Sequence, residues 1–295
     1  DEAQRVENIG LTLKIIADLK LDIQVLVTGS SSLELSSKIN EPVTGRLFEY
    51  KLFPLSLSEM SGHTSQREEI RMLEQRMIYG LYPEIVCNPS DNKRLLTSLS
   101  NNYLYKDLLS YHGIKKPEIL HKLVRALALQ IGSEVSYNEL SNLIGIDKGT
   151  VESYINLLEK CFVIFRIPSY SNNLRNEIKK GKKIYFYDNG IRNALISNFA
   201  PLEMRNDAGA LWENFMISER IKRNAYLNDY SQLYFWRSKQ QQEIDLIEEK
   251  DSCLSAFEFK WNAKKNSKLP TYFENNYSNI EYKIINRENF WDFVI

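Results

Sequence analysis

Four acidic residues, in two pairs far apart in the chain, have the types and spacing to do chemistry. The stretch "EIDLIEEKDSCLSAFEFKW", residues 243–261, reads as two short strands joined by a turn near Lys250 to Ser252. Such a hairpin sets Asp245 opposite Glu258, with Cβ atoms about 5 Å apart, and puts Lys260 on the same face, two residues on from Glu258. Carboxylates that close repel each other unless something binds between them, and a divalent cation is the usual partner. Asp245 and Glu258 are therefore candidate ligands for Mg or Mn.

The second pair opens the chain. In nucleotide hydrolysis, adjacent carboxylates beside a phosphate-binding loop divide the work: one orients the magnesium shell and the next polarises the attacking water. Asp1 and Glu2 stand in that order. The stretch "DIQVLVTGSSS" then reads as a strand that places Thr28 and Ser30 at its C-terminal end, where a polar side chain senses a γ-phosphate or positions water. The alternative is that Asp1 and Glu2 cap the helix that follows.

The elements that must position these groups can be read from pattern. Residues 9–19 are amphipathic and precede the strand-like "DIQVLVTG"; "RLFEYKLF" is strand-like between Gly45 and Pro54. From Thr64 to about Tyr111 the pattern is helical, broken by "LYPEIVCNPSD". Three helix-sized segments follow, "EILHKLVRALALQIG", "SYNELSNLIG" and "DKGTVESYINLLEKC", and then the strands "FVIFRIPSY" and "KKIYFYD". Helix, helix, tight turn, helix and hairpin is the layout of a winged helix. Ser136 or Tyr137 opens the second helix and Asp147 caps the third. Near Asp207 a helix begins that leads to the strands "QLYFWRSK", "EIDLIEE" and "CLSAFEFKW", with a helix-poor tail behind them. The expected class is multidomain α/β.

Several blocks resemble a known family. "DEAQRVENIGLTLKIIAD", "VLVTGSSSLELS", "EPVTGRLFEYKLFPLSLSEM" and "GLYPEIV" are similar to successive segments of bacterial and archaeal AAA-type P-loop ATPases with a C-terminal domain of unknown function. The resemblance maps the Walker B acids onto Asp1 and Glu2, the sensor turn onto Thr28, Gly29 and Ser30, and implies ATP and Mg as cofactors. It implies four units: residues 1–62 as half of a P-loop ATPase α/β core, 63–115 as a helical lid or linker, 116–204 as a winged helix and 205–295 as a restriction-endonuclease-like α/β domain. "LWENF", "YFWRSKQQQEIDLI" and "FEFKW" resemble blocks of the PD-(D/E)xK nucleases. That likeness adds Glu213 on the preceding helix to Asp245 and Glu258, and gives Lys260 the role of orienting or deprotonating water. No Pro precedes Asp245, and relatives that keep this fold without cleaving are common.

The string G-x-x-x-x-G-K-[ST] is absent from the 295 residues. Without that loop nothing cradles the β- and γ-phosphates, and the chain reads as one cut just before Walker B, expected neither to bind ATP tightly nor to hydrolyse it. Arg46 is an arginine-finger candidate toward a neighbouring subunit in a homo-oligomer, or a structural surface arginine.

Composition narrows the rest. Lys+Arg and Asp+Glu both number 38, so any nucleic-acid footprint is local. Arg175, Lys179, Lys180, Lys182 and Lys183 in the expected wing and Arg237, Lys239, Lys264, Lys265 and Lys268 near the C-terminal acids are its candidates. Three scattered cysteines and three histidines argue against a clustered zinc site and fit a reducing, cytoplasmic setting. No apolar run nears the roughly 20 residues that span a bilayer. The readings left standing are an ATPase, a Mg-dependent nuclease, and a non-catalytic nucleic-acid or protein-binding switch.

Overall fold

The computed structural model describes residues 1–3, 6–29, 47–109, 117–171, 181–265 and 267–295. It is mixed α/β, with helices and two sheets.

Near the N-terminus, helix α1 (Ile9–Asp18) follows Asn8, and Ala3 and Ile9 form a small apolar cluster with Leu13 and Val27. The segments 22–29 and 47–53, expected as strands, are not paired into a sheet among the described residues. Strands are held by neighbours that take up their backbone groups, and no described strand lies beside these two. Their side chains stay largely in water: Leu26 is 80% exposed, Phe48 89% and Leu52 96%.

From Phe53 onward the chain packs densely. Helix α2 (Leu57–His63) forms ahead of the expected helical stretch, which holds α3 (Gln66–Arg71), α4 (Leu73–Tyr79), α5 (Pro83–Cys87) and α6 (Asn92–Leu109). Helix α2 begins with a capping box, Ser56 accepting from the Glu59 N–H while the Glu59 carboxylate accepts from the Ser56 N–H. Then come α7 (Pro117–Leu129), β1 (Glu134–Val135), α8 (Tyr137–Ile144), α9 (Lys148–Lys160), β2 (Ile164–Pro168) and β3 (Lys182–Phe186). Ser136 caps α8 and Asp147 caps α9, each side chain accepting from the backbone three residues on. The three strands form an antiparallel sheet in the order β1-β3-β2.

The hairpin β2–β3 is buried on both faces. Ile164, Ile184 and Phe186 join a core with α7, α8 and α9. Phe165, Ile167, Tyr185 and Tyr187 join a second core with the C-terminal unit. Between them sits α10 (Asn189–Leu195), every residue of which is buried.

The C-terminal unit starts with α11 (Ala208–Tyr226) and continues through β4 (Gln232–Arg237), β5 (Glu243–Lys250), β6 (Cys253–Phe259), α12 (Thr271–Asn276), β7 (Ile280–Ile285) and α13 (Trp291–Val294). Its sheet runs β4-β5-β6-β7, with β7 parallel to β6 and the other pairs antiparallel. The tail expected to be helix-poor holds two short helices and supplies an edge strand. One face packs Leu246, Phe257 and Phe259 toward α11, and the other packs Ile244, Ile247 and Ala256 against Phe273 of α12.

Candidate functional site at the seam of two sheets

Turn position set the C-terminal register correctly. Lys250 lies opposite Cys253, Ile247 opposite Ala256 and Leu246 opposite Phe257, where the paired ladder ends, one residue short of Asp245 and Glu258. Asp245 accepts a hydrogen bond of 2.8 Å from the Phe259 N–H, next to Glu258. Lys260 reaches back to Glu258, Nζ to Oε1 at 2.5 Å. Glu213 enters from α11, which lies across the sheet.

α11 is held in place by Asn214. Its side-chain oxygen accepts from the Phe186 N–H at 2.7 Å and its amide donates to the Phe186 carbonyl at 2.9 Å and to Asn189 Oδ1 at 2.7 Å. This buried clamp pins the end of β3 to α11 and brings Lys183 and Tyr185, alternate residues of β3, to Glu213. The Tyr185 hydroxyl donates to Glu213 Oε1 at 2.6 Å, and Lys183 Nζ lies 3.0 Å from the same oxygen. Lys183 also pairs with Glu243 Oε1 at 2.5 Å and stands 5.5 Å from the Phe235 ring centroid.

Lys183, Tyr185 and Glu243 were not among the expected site residues. Lys183 had been placed with the wing cations; instead it is 3% exposed and faces the acids. The other expected wing cations separate: Lys182 is half-buried at the start of β3, and Arg175, Lys179 and Lys180 lie outside the described residues. Period-two spacing does put Lys183 and Tyr185 on one face, but only the docking of the two sheets says what that face meets.

Electrostatics follow from this crowding. Burial, reinforced by Glu213 and Glu258, pushes the Asp245 carboxyl well above its ordinary range, against the opposing pull of Lys183 and the Phe259 N–H. Burial alone would lower Lys183, but Glu213, Asp245 and Glu243 outweigh it and hold the ammonium above the ordinary lysine range. Burial also lowers Lys260, and the bond to Glu258 more than reverses that. Tyr185 is raised by its burial and then by Glu213, which keeps it a hydrogen-bond donor.

The set does not fit a divalent cation as it stands. Glu213 is bonded by Lys183 and Tyr185, Asp245 by a backbone N–H and Glu258 by Lys260. Among the described residues, no three or more His, Cys, Asp or Glu side chains are grouped to hold a metal ion. The metal expected at Asp1, Asp245 and Glu258 is therefore not matched by a ligand cage.

At the N-terminus, the Thr28 hydroxyl donates to the Asp1 carboxylate, and the Ala3 N–H donates to the Thr28 carbonyl at 2.9 Å. The acidic pair and the threonine that precedes Gly29 therefore lie side by side. Neither Asp1 nor Glu2 caps α1, because the cap position is Asn8; the capping alternative is set aside. Ser30 and Arg46 lie outside the described residues. The string G-x-x-x-x-G-K-[ST] that would cradle phosphates has no counterpart in the sequence.

Comparison with known proteins adds to this picture. Residues 1–61 match a family described as an AAA domain, residues 70–202 a domain of unknown function (DUF8612), and residues 208–289 another (DUF4143) that is associated with AAA domains. The first and last of these matches make the chain similar to AAA-type ATPases. An uncharacterized protein of Haemophilus influenzae is 26% identical over 95% of the chain and 70% of its own length. Uncharacterized proteins of Mycobacterium tuberculosis and Methanocaldococcus jannaschii are 25% and 22% identical over 88% and 84% of the chain. The chain spans 57% of the length of each of these two. No solved structure matches. Among the described residues, no helix is long and apolar enough to cross a membrane.

Proposed function

We propose that the chain works within an AAA-type ATP-hydrolysing protein, with Glu2 polarising water, Asp1 serving the magnesium shell, and Thr28, Ser30 and Arg46 completing the edge of the nucleotide site. The contact of the Thr28 hydroxyl with the Asp1 carboxylate is the observation that carries this reading. The phosphate cradle and its Lys must come from a segment other than these 295 residues. The test is ATP turnover by a longer chain in which a G-x-x-x-x-G-K-[ST] segment precedes them. Glu2→Gln is expected to lower turnover by about 10²-fold or more, as loss of a general base does, while the 295 residues alone turn over no ATP. Unchanged turnover in Glu2→Gln would exclude Glu2 from the chemistry.

The middle unit supports a finer reading as a winged helix, because β1 pairs with β3 and the hairpin follows three helices. With both faces of that hairpin buried, nucleic acid would meet only its tip, and the helices and hairpin serve mainly to carry the nucleotide state to the C-terminal unit. Assembly into a homo-oligomer, with Arg46 reaching a neighbouring site, belongs to the same proposal.

A second reading is favoured by the convergence of Glu213, Asp245, Glu258 and Lys260: a nuclease-like C-terminal domain that uses Mg or Mn. Divalent-dependent cleavage of DNA or RNA that Asp245→Ala abolishes is its test, and salt-sensitive binding without cleavage points instead to a nucleic-acid-binding switch.

A further inference from the structure

The two edges of the C-terminal sheet differ. β4 is bulged between Tyr234 and Trp236 and is covered from outside, where Ser169 bridges Phe235 and the Tyr170 N–H donates to the Phe235 carbonyl at 2.6 Å. β7 pairs with β6 without a bulge from Ile280 to Ile285, holds no Pro, and has no strand on its other side among the described residues. Lys283, of a residue type that guards open edges, is offset by Glu281 on the same face at 2.7 Å. An unbulged edge of this kind is a template for another strand.

Alternation settles which backbone groups the edge offers. Asn279 and Ile285 turn their carbonyls to β6, accepting from the Leu254 N–H at 3.0 Å and the Lys260 N–H at 2.9 Å. Direction alternates along the strand between them, so Ile280, Tyr282 and Ile284 point N–H and C=O groups outward. The Ile284 carbonyl accordingly accepts from the Asn289 side chain at 2.8 Å, and keeps a second lone pair.

We propose that β7 is a dimer interface, in which the β7 strands of two copies of this chain pair antiparallel about a two-fold axis at Tyr282 and join their sheets into one. The outward groups restrict the register to those that set even-numbered residues against even-numbered ones, because only these leave donors facing acceptors. Charge then selects among them. Centring on Glu281 or on Lys283 sets that residue against its own copy, like charge on like. Centring on Tyr282 sets Glu281 against Lys283 of the partner subunit, at positions where Cα atoms come closest, about 4.5 Å apart. Ile280 then meets Ile284 of the partner subunit, and the two Tyr282 residues exchange both backbone bonds. A strand with one acid and one base placed evenly about its middle is its own complement, which makes a second copy the occupant. Such a contact is isologous, closes at two copies, and needs neither nucleotide nor metal.

Sedimentation velocity of the 295-residue chain over a range of concentrations, with Lys283→Glu, Glu281→Lys and the double swap, tests this. The unchanged chain is expected to dimerise as concentration rises. Either single change sets like charges opposite each other on both sides of the axis and should weaken dimerisation at least about tenfold. The melting midpoint of the monomer should not move, because the Glu281 and Lys283 side chains are 61% and 54% exposed. The double swap should restore the dimer, and so should mixing the two single variants, since each supplies the charge the other lacks. In the unchanged chain, hydrogen exchange should slow with concentration at the Ile280, Tyr282 and Ile284 N–H groups and stay constant at Glu281 and Lys283, whose N–H groups face β6. A monomer at every concentration overturns the proposal, whatever else protects those three groups. So does a dimer that both single variants retain, or a loss that neither the double swap nor the mixture repairs.

Discussion

Replacing Lys222 by Met breaks a buried clamp that ties the segment after residue 52 to the C-terminal helix. Lys222 donates to the Leu55 carbonyl at 3.0 Å and pairs with Glu219 at 2.7 Å, while the other Glu219 oxygen accepts from the Leu57 N–H at 2.7 Å, at the start of α2. The two side chains are 2% and 1% exposed. Removing one member strands a carboxylate out of water and leaves the Leu55 carbonyl without its donor, which costs about 3–5 kcal/mol. At roughly 2–4 °C per kcal/mol for a body of this size, the midpoint should fall by about 6–20 °C. Glu219→Gln keeps an acceptor for Leu57 and should cost less, about 1–3 kcal/mol, and the double variant should cost less than the two single losses combined. Urea unfolding followed by tryptophan fluorescence is the assay, since Trp212, Trp236, Trp261 and Trp291 all lie in the C-terminal unit. A loss below about 1 kcal/mol in Lys222→Met would refute the reasoning, because a buried ammonium that can be deleted so cheaply is not fastening anything.

Gly80→Ala should destabilise by more than about 3 kcal/mol: its φ is +73° and a Cβ would fall 2.1 Å from the Asp188 carboxylate, which accepts from the Leu81 and Ile191 N–H groups. Gly62→Ala, with nothing within 4 Å of its Cβ, should match the unchanged chain or gain up to about 1 kcal/mol, by the same melting assay. Burial alone would raise Asp207, but Arg205 and Arg192 outweigh it and hold the carboxyl at about 2, below its ordinary 3.8. A depressed carboxyl contributes stability that is full above its unfolded pKa and is lost as pH falls through the folded one, so Asp207→Asn should remove about 2 kcal/mol of the acid-side loss between about pH 5 and about pH 2. Asn214→Leu leaves the Phe186 N–H and carbonyl without their buried partners; a loss of about 2–5 kcal/mol is expected, with amide exchange at Phe186 rising most.

Much of the middle and C-terminal architecture was legible because its signals are local. Ser136 and Asp147 sit at helix starts where a short oxygen side chain satisfies an orphan N–H, and the structure uses both. The turn at residues 250–252 fixes a register that a slip of one residue would ruin by turning every side chain to the other face. What local pattern could not reveal was partnership. "DIQVLVTG" and "RLFEYKLF" have strand composition, yet a strand exists only beside another. α10 is seven residues long and buried on every side, so it shows no apolar stripe from which a helix could be read. β7 alternates only weakly in burial along a polar tail, and its parallel pairing with β6 requires the intervening α12 to cross over.

Lys183 shows the same limit at the site itself. In the sequence it ends the run "KKGKK", which reads as a solvated tip, because a cluster of like charges costs least in water. The glycine in that run marks the point where the chain leaves the tip and enters β3. From there alternation sends Lys183 and Tyr185 to one face and Ile184 and Phe186 to the other. An ammonium on that first face would be intolerable beside Phe165, Ile167 and Phe235 unless counter-charges were already in place. Glu213 and Glu243 supply them from 30 and 60 residues further along. The lysine and the carboxylates therefore account for one another: either alone would be a buried unpaired charge, and the sheet seam is stable because it brings them together. The register of β5 against β6 follows from a hairpin turn and can be read from the chain; that Glu213, Glu243 and Lys183 meet follows only from how the two sheets and α11 pack.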